Sequence, residues 1–483
     1  MASIQNPIGD FGNYYYGSKF SREGIDPLKF YTSIHFFNVS IRPYETGAFF
    51  ENYTPVPPFS LLFYLPFTFV KSATAKIIFN FFSLILFAFA FARLIKTLKN
   101  FSLAFYLLPF IFIQPLYSNF HHGQTYLIIA ALLFELFIAV HSKQKITAGI
   151  IIALLFSLKI FPAFIVLIFI FKKDWKTIYW AVIFTGLLQV VTFVFVGKAV
   201  MVNYYCSIFP RLALNDVTEP FLYFNQSFHS FLLDSFVYHP YLNSFPYINI
   251  PSVAVVLQLI FYSFLISALV STALKKDGIT SCIFSLLVLI LINKYNTVYG
   301  MIVLFPFMFL SKTIAPKKIL LLCLLLFFAC NLPTYKLGNM PLIFQYTKVW
   351  LLLLVFCILL VELNYQFNLM HFGICLLLFI LPSLTFYKYA TDSVLEFRPK
   401  RGVLYDFKVN AENIQLYNCL GQKDTVEYIN FKLNSFNTTN FTTKNKTLLA
   451  STKYVLLSTN YALYMTDKNT GVGMNYLKLI KQP

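Results

Sequence analysis

Charge is what this sequence has least of. Only 12% of its residues are Asp, Glu, Lys or Arg, against about 25% in a soluble domain. Acidic residues are the scarcer sign, 19 against 38 basic ones. The seven cysteines are scattered singly with no Cys-x-x-Cys pair, which argues against both a disulfide framework and a zinc site. Cys206 and Cys419 alone fall outside apolar runs. Strict apolar-polar alternation is missing as well, so a membrane β-barrel is excluded. What is present is apolar: 58% hydrophobic residues and a mean hydropathy of +0.67 over 483 residues. Apolar runs of spanning length recur between short basic clusters. That pattern excludes a secreted, fibrous or nucleic-acid-binding chain and predicts an all-α polytopic membrane protein. The 58 Phe and 32 Tyr, with many Lys, Asn and Ile, read as the codon bias of an AT-rich genome and carry no functional weight.

The formal net charge of +19 matters less than where the charges sit. Arg93, Lys96 and Lys99 form one basic cluster, Lys143 and Lys145 a second, and Lys172, Lys173 and Lys176 a third. Lys275 with Lys276, and Lys312 with Lys317 and Lys318, complete the set. The positive-inside rule puts these loops in the cytoplasm. Spans are then expected near 75 to 92, 103 to 118, 125 to 140, 177 to 197, 251 to 274, 279 to 292, 297 to 310, 317 to 332, 343 to 363 and 370 to 387. Residues 146 to 171 have basic clusters at both ends, so one crossing would put a cluster outside. A hairpin of two short helices broken at Ser157, Lys159 and Pro162 resolves this and gives about 12 spans. Its halves are too short to cross fully, so Lys159 is expected beneath the outer surface, where irregular backbone must be buried in protein or line a wet cavity.

Residues 1 to 56, 119 to 124, 198 to 250, 333 to 342 and the tail from 388 then fall outside. Eight of the acidic residues before 388 agree: Asp10, Glu23, Asp26, Glu45, Glu51, Asp216, Glu219 and Asp234. The apolar segment 57 to 70 is too short to cross and suits a dip into the interface. A polar N-terminal segment with no span or signal peptide before it predicts one further helix, missing from the start. Three units are expected: an acidic outer loop (1 to 56), a transmembrane unit (57 to 387), and a small extracytoplasmic β or α+β domain (388 to 483) rich in β-forming stretches between Asn, Thr and Gly.

Three polar islands share the outer side: GDFGNYYYGSKF with GIDPLKFY and NYTPVPPF, then NFHHGQTY, then YFNQSFHSF, joined in depth by SLKIFP. In order and spacing they resemble glycosyltransferase family 87, integral-membrane transferases of the GT-C superfamily that include polyprenol-phosphate-mannose-dependent mannosyltransferases. The matching pieces are the Asp-Phe-x-x-Tyr-Tyr opening at Asp10, the turn from Gly24 to Pro27, and Tyr53 with Pro57 and Pro58. They continue with Gly123-Gln124, the run ending in Lys159 and Pro162, the basic-Trp loop at Lys172 to Trp175, and Asn225-Gln226-Ser227. Two departures stand out: Tyr126 where the family usually has Asn, and no helix before the acidic loop.

The resemblance implies inverting, metal-independent transfer without a cofactor, from a polyprenyl-phosphate sugar to a lipid or glycan acceptor, at the outer face of the inner (plasma) membrane. The absence of an Asp-x-Asp motif agrees with a lipid-phosphate donor. Such a reaction needs a base for the acceptor hydroxyl and hydrogen-bonding or cationic partners for the leaving phosphate. Asp10 is the expected base, by family analogy, with a helix-capping Asp as the plain alternative. Asp26 is the second candidate, although Asp before Pro is commonly a turn residue. Lys159 is the expected phosphate partner, because a charge at a break within the membrane is costly unless it faces a cavity or partner; snorkelling is its alternative. His121 and His122 are candidate donors to the same phosphate or plain interfacial residues. Gln124, Asn225 and Gln226 are candidates for sugar hydroxyls or ordinary loop polarity, and Tyr14, with Phe11 and Tyr15, for stacking on a sugar ring. Glu135, near the cytoplasmic end of its span, is expected to pair with a lysine. A transporter or flippase is the rival reading, disfavoured by the lack of midplane charges. An oligosaccharide polymerase or ligase is the other.

Overall fold

The structure is a computed structural model. It describes residues 8–32, 34–41, 43–45, 53, 55–98, 109–213, 225–238, 243, 246–294, 296–312, 314, 316–338 and 340–391, with the backbone of seven short strands between 404 and 477. The start of the expected span at 103 to 118, Glu51, and most of the tail lie outside the described residues.

Long apolar runs with no water to bond their backbone close their hydrogen bonds within helices. Among the described residues three helices are long and apolar enough to cross a membrane: Ser72–Leu98, Trp175–Val196 and Pro251–Lys275. Shorter apolar helices include Tyr126–His141, Lys145–Leu158 and Gly278–Ile292. We label the helices used below α1 (Phe11–Arg22), α2 (Ser72–Leu98), α3 (Ile113–His122), α4 (Tyr126–His141), α5 (Lys145–Leu158), α6 (Trp175–Val196), α7 (Phe228–Phe236), α8 (Pro251–Lys275) and α9 (Gly278–Ile292). The expected span at 297 to 310 is a 3-10 helix, Val298–Lys312, with Pro306 inside it. Proline has no N–H to give to an α-helical ladder. The tighter coil rises about 2 Å per residue, so these residues still extend roughly 30 Å. Segment 57 to 70 holds a short helix, Ser60–Phe63, and a 3-10 turn, Leu65–Phe69.

The helix directions can be read from pairs of contacts. On α2 and α4, Lys76 reaches the His121 carbonyl beside the start of α4, Phe87 meets Phe134 at 5.3 Å, and Arg93 pairs with Glu135 at 2.9 Å. Those two helices are therefore parallel, with α3 as the return between them. Glu135 is ion-paired as expected, but with an arginine from the facing helix in place of a lysine. On α5 and α6, Lys145 pairs with Asp174, Gly149 lies against Trp180 and Ala181, and Ser157 meets Gln189 at 3.4 Å.

This second pair is parallel too, so residues 159 to 173 must run back to the face where α5 began. They do so through a break at Lys159, whose backbone is extended (φ −159°, ψ 112°), and the short helices Ile160–Ala163 and Val166–Phe171. The two ends of 146 to 171 therefore lie side by side, the arrangement the hairpin requires.

That shared face is tied together by its charges. Lys172 donates to the carbonyls of Ala273 and Lys276 at 2.7 and 2.6 Å, neutralising the C-terminal end of α8. Asp174 and Asp277 cap α6 and α9 by accepting from Thr177, and from Ile279 and Thr280. Lys318 pairs with Glu362.

In the tail, the strands β1 (Leu404–Val409), β2 (Asn413–Asn418), β3 (Phe431–Lys432), β4 (Lys446–Ala450), β5 (Tyr454–Ser458), β6 (Leu463–Asp467) and β7 (Gly473–Leu477) form one sheet in the order β3-β2-β1-β7-β6-β5-β4. Only the β1 and β7 pairing is parallel.

Candidate active site

The site is assembled where α1, the turn after α3, and the end of α5 meet, at the opposite end of α5 from Lys145. Fourteen residues of α5 rise about 21 Å, less than the roughly 30 Å of a bilayer core. Gly123 makes the assembly possible. It ends α3 in the left-handed conformation (φ 65°), and a Cβ there would lie 2.6 Å from that of Phe11. Only glycine meets both conditions, the positive φ and the close approach of α1. Lys76 on α2, fully buried, supports the same turn by donating to the His121 carbonyl at 2.6 Å.

With α1 and the turn in register, Gln124 donates from its amide to Asp10 Oδ2 at 2.7 Å. It accepts from the Tyr14 hydroxyl at 3.1 Å. His122 Nδ1 stands 4.0 Å from the same Asp10 oxygen. Asp10 occupies the N-cap position of α1 but makes no side-chain capping bond there. The capping alternative therefore does not account for its carboxylate, which remains 31% exposed while Gln124 behind it is 5% exposed. Lys159 places its ammonium 4.1 Å from the centroid of the Tyr126 ring, a cation–π contact. Burial raises the Tyr14 phenol above its ordinary value, opposed by the Lys159 charge, so Tyr14 stays a hydrogen-bond donor.

The aromatic neighbours of Asp10 turn inward. Tyr14 stacks on Tyr64 at 4.6 Å and 9°, Phe11 packs on Phe79 at 5.3 Å, and Phe11 and Tyr15 are buried. Their apolar area is spent on joining α1 to the dip at 60 to 69 and to α2, which explains why rings expected for a sugar serve as core. His121 stacks on Tyr117 at 5.7 Å and meets His122 edge-on at 4.8 Å.

Asp26 is not brought to this cluster. It is exposed and accepts from the Leu28 amide at 2.9 Å, the turn geometry expected of Asp before Pro. Asn225 and Gln226 are buried staples. Asn225 donates to Ser230 Oγ and the Lys294 carbonyl, each at 2.9 Å, and accepts from the Asn296 amide at 2.8 Å. Gln226 donates to the Gln345 carbonyl at 2.7 Å and accepts from the Lys348 amide at 3.2 Å. These bonds hold the start of α7 against two distant segments. Sequence reasoning missed Lys76 and the lysines Lys294 and Lys348 beside those staples. The available signal was a lysine one turn inside the end of an apolar run, where a charge needs a partner. Among the described residues no group of His, Cys, Asp and Glu is suited to a metal ion.

Membrane-length apolar helices, with a carboxylate, an imidazole and an ammonium gathered near one end of the helices that hold them, define an integral-membrane protein with a polar site. Residues 53–292 match the profile of glycosyltransferase family 87. That match, over about half of the chain, supports glycosyltransferase family 87 and indicates a glycosyltransferase. The matched stretch holds His121, His122, Gln124, Lys159, Asn225 and Gln226, while Asp10, Tyr14 and Asp26 precede it. No curated protein and no solved structure matches the chain.

Proposed function

We propose that the protein transfers a hexose or pentose from a polyprenyl-phosphate sugar to a lipid or glycan acceptor, with inversion, at the extracytoplasmic face of the plasma membrane. The observation that carries this reading is the partly open Asp10 carboxylate on Gln124 and beside His122, at the end of the helices opposite the basic clusters. By the positive-inside rule that end is extracytoplasmic, the side from which a lipid-linked donor would be presented. In this reading about 12 spans carry the site and the tail forms a separate outer domain.

The chemistry follows from the groups available. Asp10 takes the proton of the acceptor hydroxyl as its oxygen attacks the anomeric carbon. The bond from that carbon to the phosphate oxygen breaks, and polyprenyl phosphate leaves with the electron pair. Lys159 and His122, with His121 in support, balance the charge that develops on the phosphate. Asp26, Asn225 and Gln226 have no part in bond making here, since their polar atoms are engaged in a turn and in staples. The test is incubation of membranes containing the protein with radiolabelled polyprenyl-phosphate sugars and lipid or glycan acceptors. Label should pass to an acceptor from a lipid-linked sugar. Transfer only from a nucleotide sugar, or none from either, would reject the donor class.

A further inference from the structure

We propose that Gln124, itself oriented by Tyr14, is the positioning residue for the Asp10 carboxylate and not a ligand of the sugar. The proposal rests on the reading of Asp10 as base. A carboxylate only accepts hydrogen bonds, so the Gln124 atom 2.7 Å from Asp10 must be its amide nitrogen. That fixes the amide the other way round at Tyr14, whose hydroxyl donates to the Gln124 oxygen at 3.1 Å. Tyr14 is in turn locked by its stacking on Tyr64, and Tyr64 by its hydrogen bond to Thr125 at 2.7 Å. Gln124 is thus held from both sides in one orientation, nearly excluded from solvent, with its two ends committed within the protein. The consequence for Asp10 is geometric. Its Oδ2 is bound to Gln124, which leaves Oδ1 free to accept a proton from an acceptor.

The charged and titratable groups facing Asp10 are His122 at 4.0 Å and Tyr14 one turn along its own helix, with Lys159 acting on Tyr14. A hydrogen bond to the charged form of a carboxylate favours that form, and a second carboxylate beside it disfavours it. The experiment is a pH–rate profile of transfer by the full-length protein for Gln124→Leu, Gln124→Glu and Tyr14→Phe, with Asp10→Asn as reference and donor KM measured throughout.

Gln124→Leu should lower kcat about 100-fold, the scale of a 1 Å misplacement, with KM for the donor little changed and the acid limb of the profile moved to higher pH. Gln124→Glu should move that limb by about one unit or more. Tyr14→Phe, which keeps the fold but releases the amide, should show a smaller loss of kcat in the same direction. A raised KM at unchanged kcat would make Gln124 a sugar ligand and overturn the proposal. So would a loss of melting temperature with the acid limb unmoved in both Gln124 variants. Full activity of Asp10→Asn would instead remove the base reading itself, a result separable from either.

Discussion

At the scale of single residues, the proposed mechanism depends on one carboxylate and one ammonium. Asp10→Asn keeps the size and the bond from Gln124 but removes the base. Transfer should fall about 100- to 10,000-fold with donor binding intact, as read by single-turnover transfer alongside a donor-binding titration. Near wild-type transfer would move the role elsewhere. Lys159→Ala should weaken donor binding roughly ten- to a hundredfold, the scale of a hydrogen bond to a charged group, with the melting temperature little changed. Unaltered donor binding would take Lys159 out of phosphate recognition. Much of this cluster was legible from sequence because charge is rare in an apolar chain: a lysine at a helix break and an aspartate in an outer loop stand out. The bond of Gln124 to Asp10 was not legible, since it joins residues 114 positions apart and depends on how closely Gly123 lets α1 approach. The bonds of Asn225 and Gln226 to distant backbone were not legible for the same reason. A sequence gives the polarity of an amide, but only packing decides whether it serves a ligand or a neighbouring backbone.

At the scale of elements, the hairpin of residues 146 to 171 was legible from charge alone, because a single crossing would have separated two lysine clusters. Its break at Lys159 was legible too. The parallel packing of α5 on α6 that stabilises it was not, for it rests on a glycine with no marked sequence context. A Cβ on Gly149 would lie 2.5 Å from that of Trp180 and 2.8 Å from the Ala181 backbone nitrogen. A backbone atom cannot rotate away, so Gly149→Leu should separate the helices at a cost of about 3 kcal/mol. The change should appear as a lower melting temperature in detergent and reduced transfer; wild-type stability would mean that the two helices are not packed this closely. Cysteines at Gln144 and Lys176, both exposed, test the direction of the hairpin. In intact cells neither should react with an impermeant thiol reagent, and both should react after permeabilisation. Reaction of just one from outside would place the ends on opposite sides.

At the scale of the whole molecule, the buried His229 and the part-buried Asp234 on α7 make opposite demands on pH. Burial pushes the Asp234 carboxyl up to about 7 from 3.8, opposed by a hydrogen bond from Tyr346. Burial, aided by the Lys294 charge and opposed by Gln258, pushes His229 down to about 3 from 6.5. Stability changes with pH wherever folded and unfolded chains bind different numbers of protons. Between about 4 and 7 the folded chain keeps a proton on Asp234 that the unfolded chain has released, so this group adds stability as pH falls through that window. Between about 6.5 and 3 the unfolded chain takes up a proton on the histidine that the folded chain refuses, so His229 removes stability over nearly the same window. Lys294, lowered to about 8, stays protonated throughout.

The two slopes are each one proton and of opposite sign, so in the wild-type protein they nearly cancel from pH 6.5 to 4. Separating them exposes each. Asp234→Asn can still accept from Tyr346 and leaves His229 alone, so relative to wild type its melting temperature in detergent should fall steadily as pH drops from 7 to 4. His229→Gln should do the reverse over the same range, gaining on wild type toward acid. Taking each variant as a difference from wild type removes the contribution of every other titrating group. Curves for both variants that run parallel to wild type would mean that neither side chain is held away from water, and that α7 does not pack against α8 through the hydrogen bond of His229 to Gln258 at 2.8 Å.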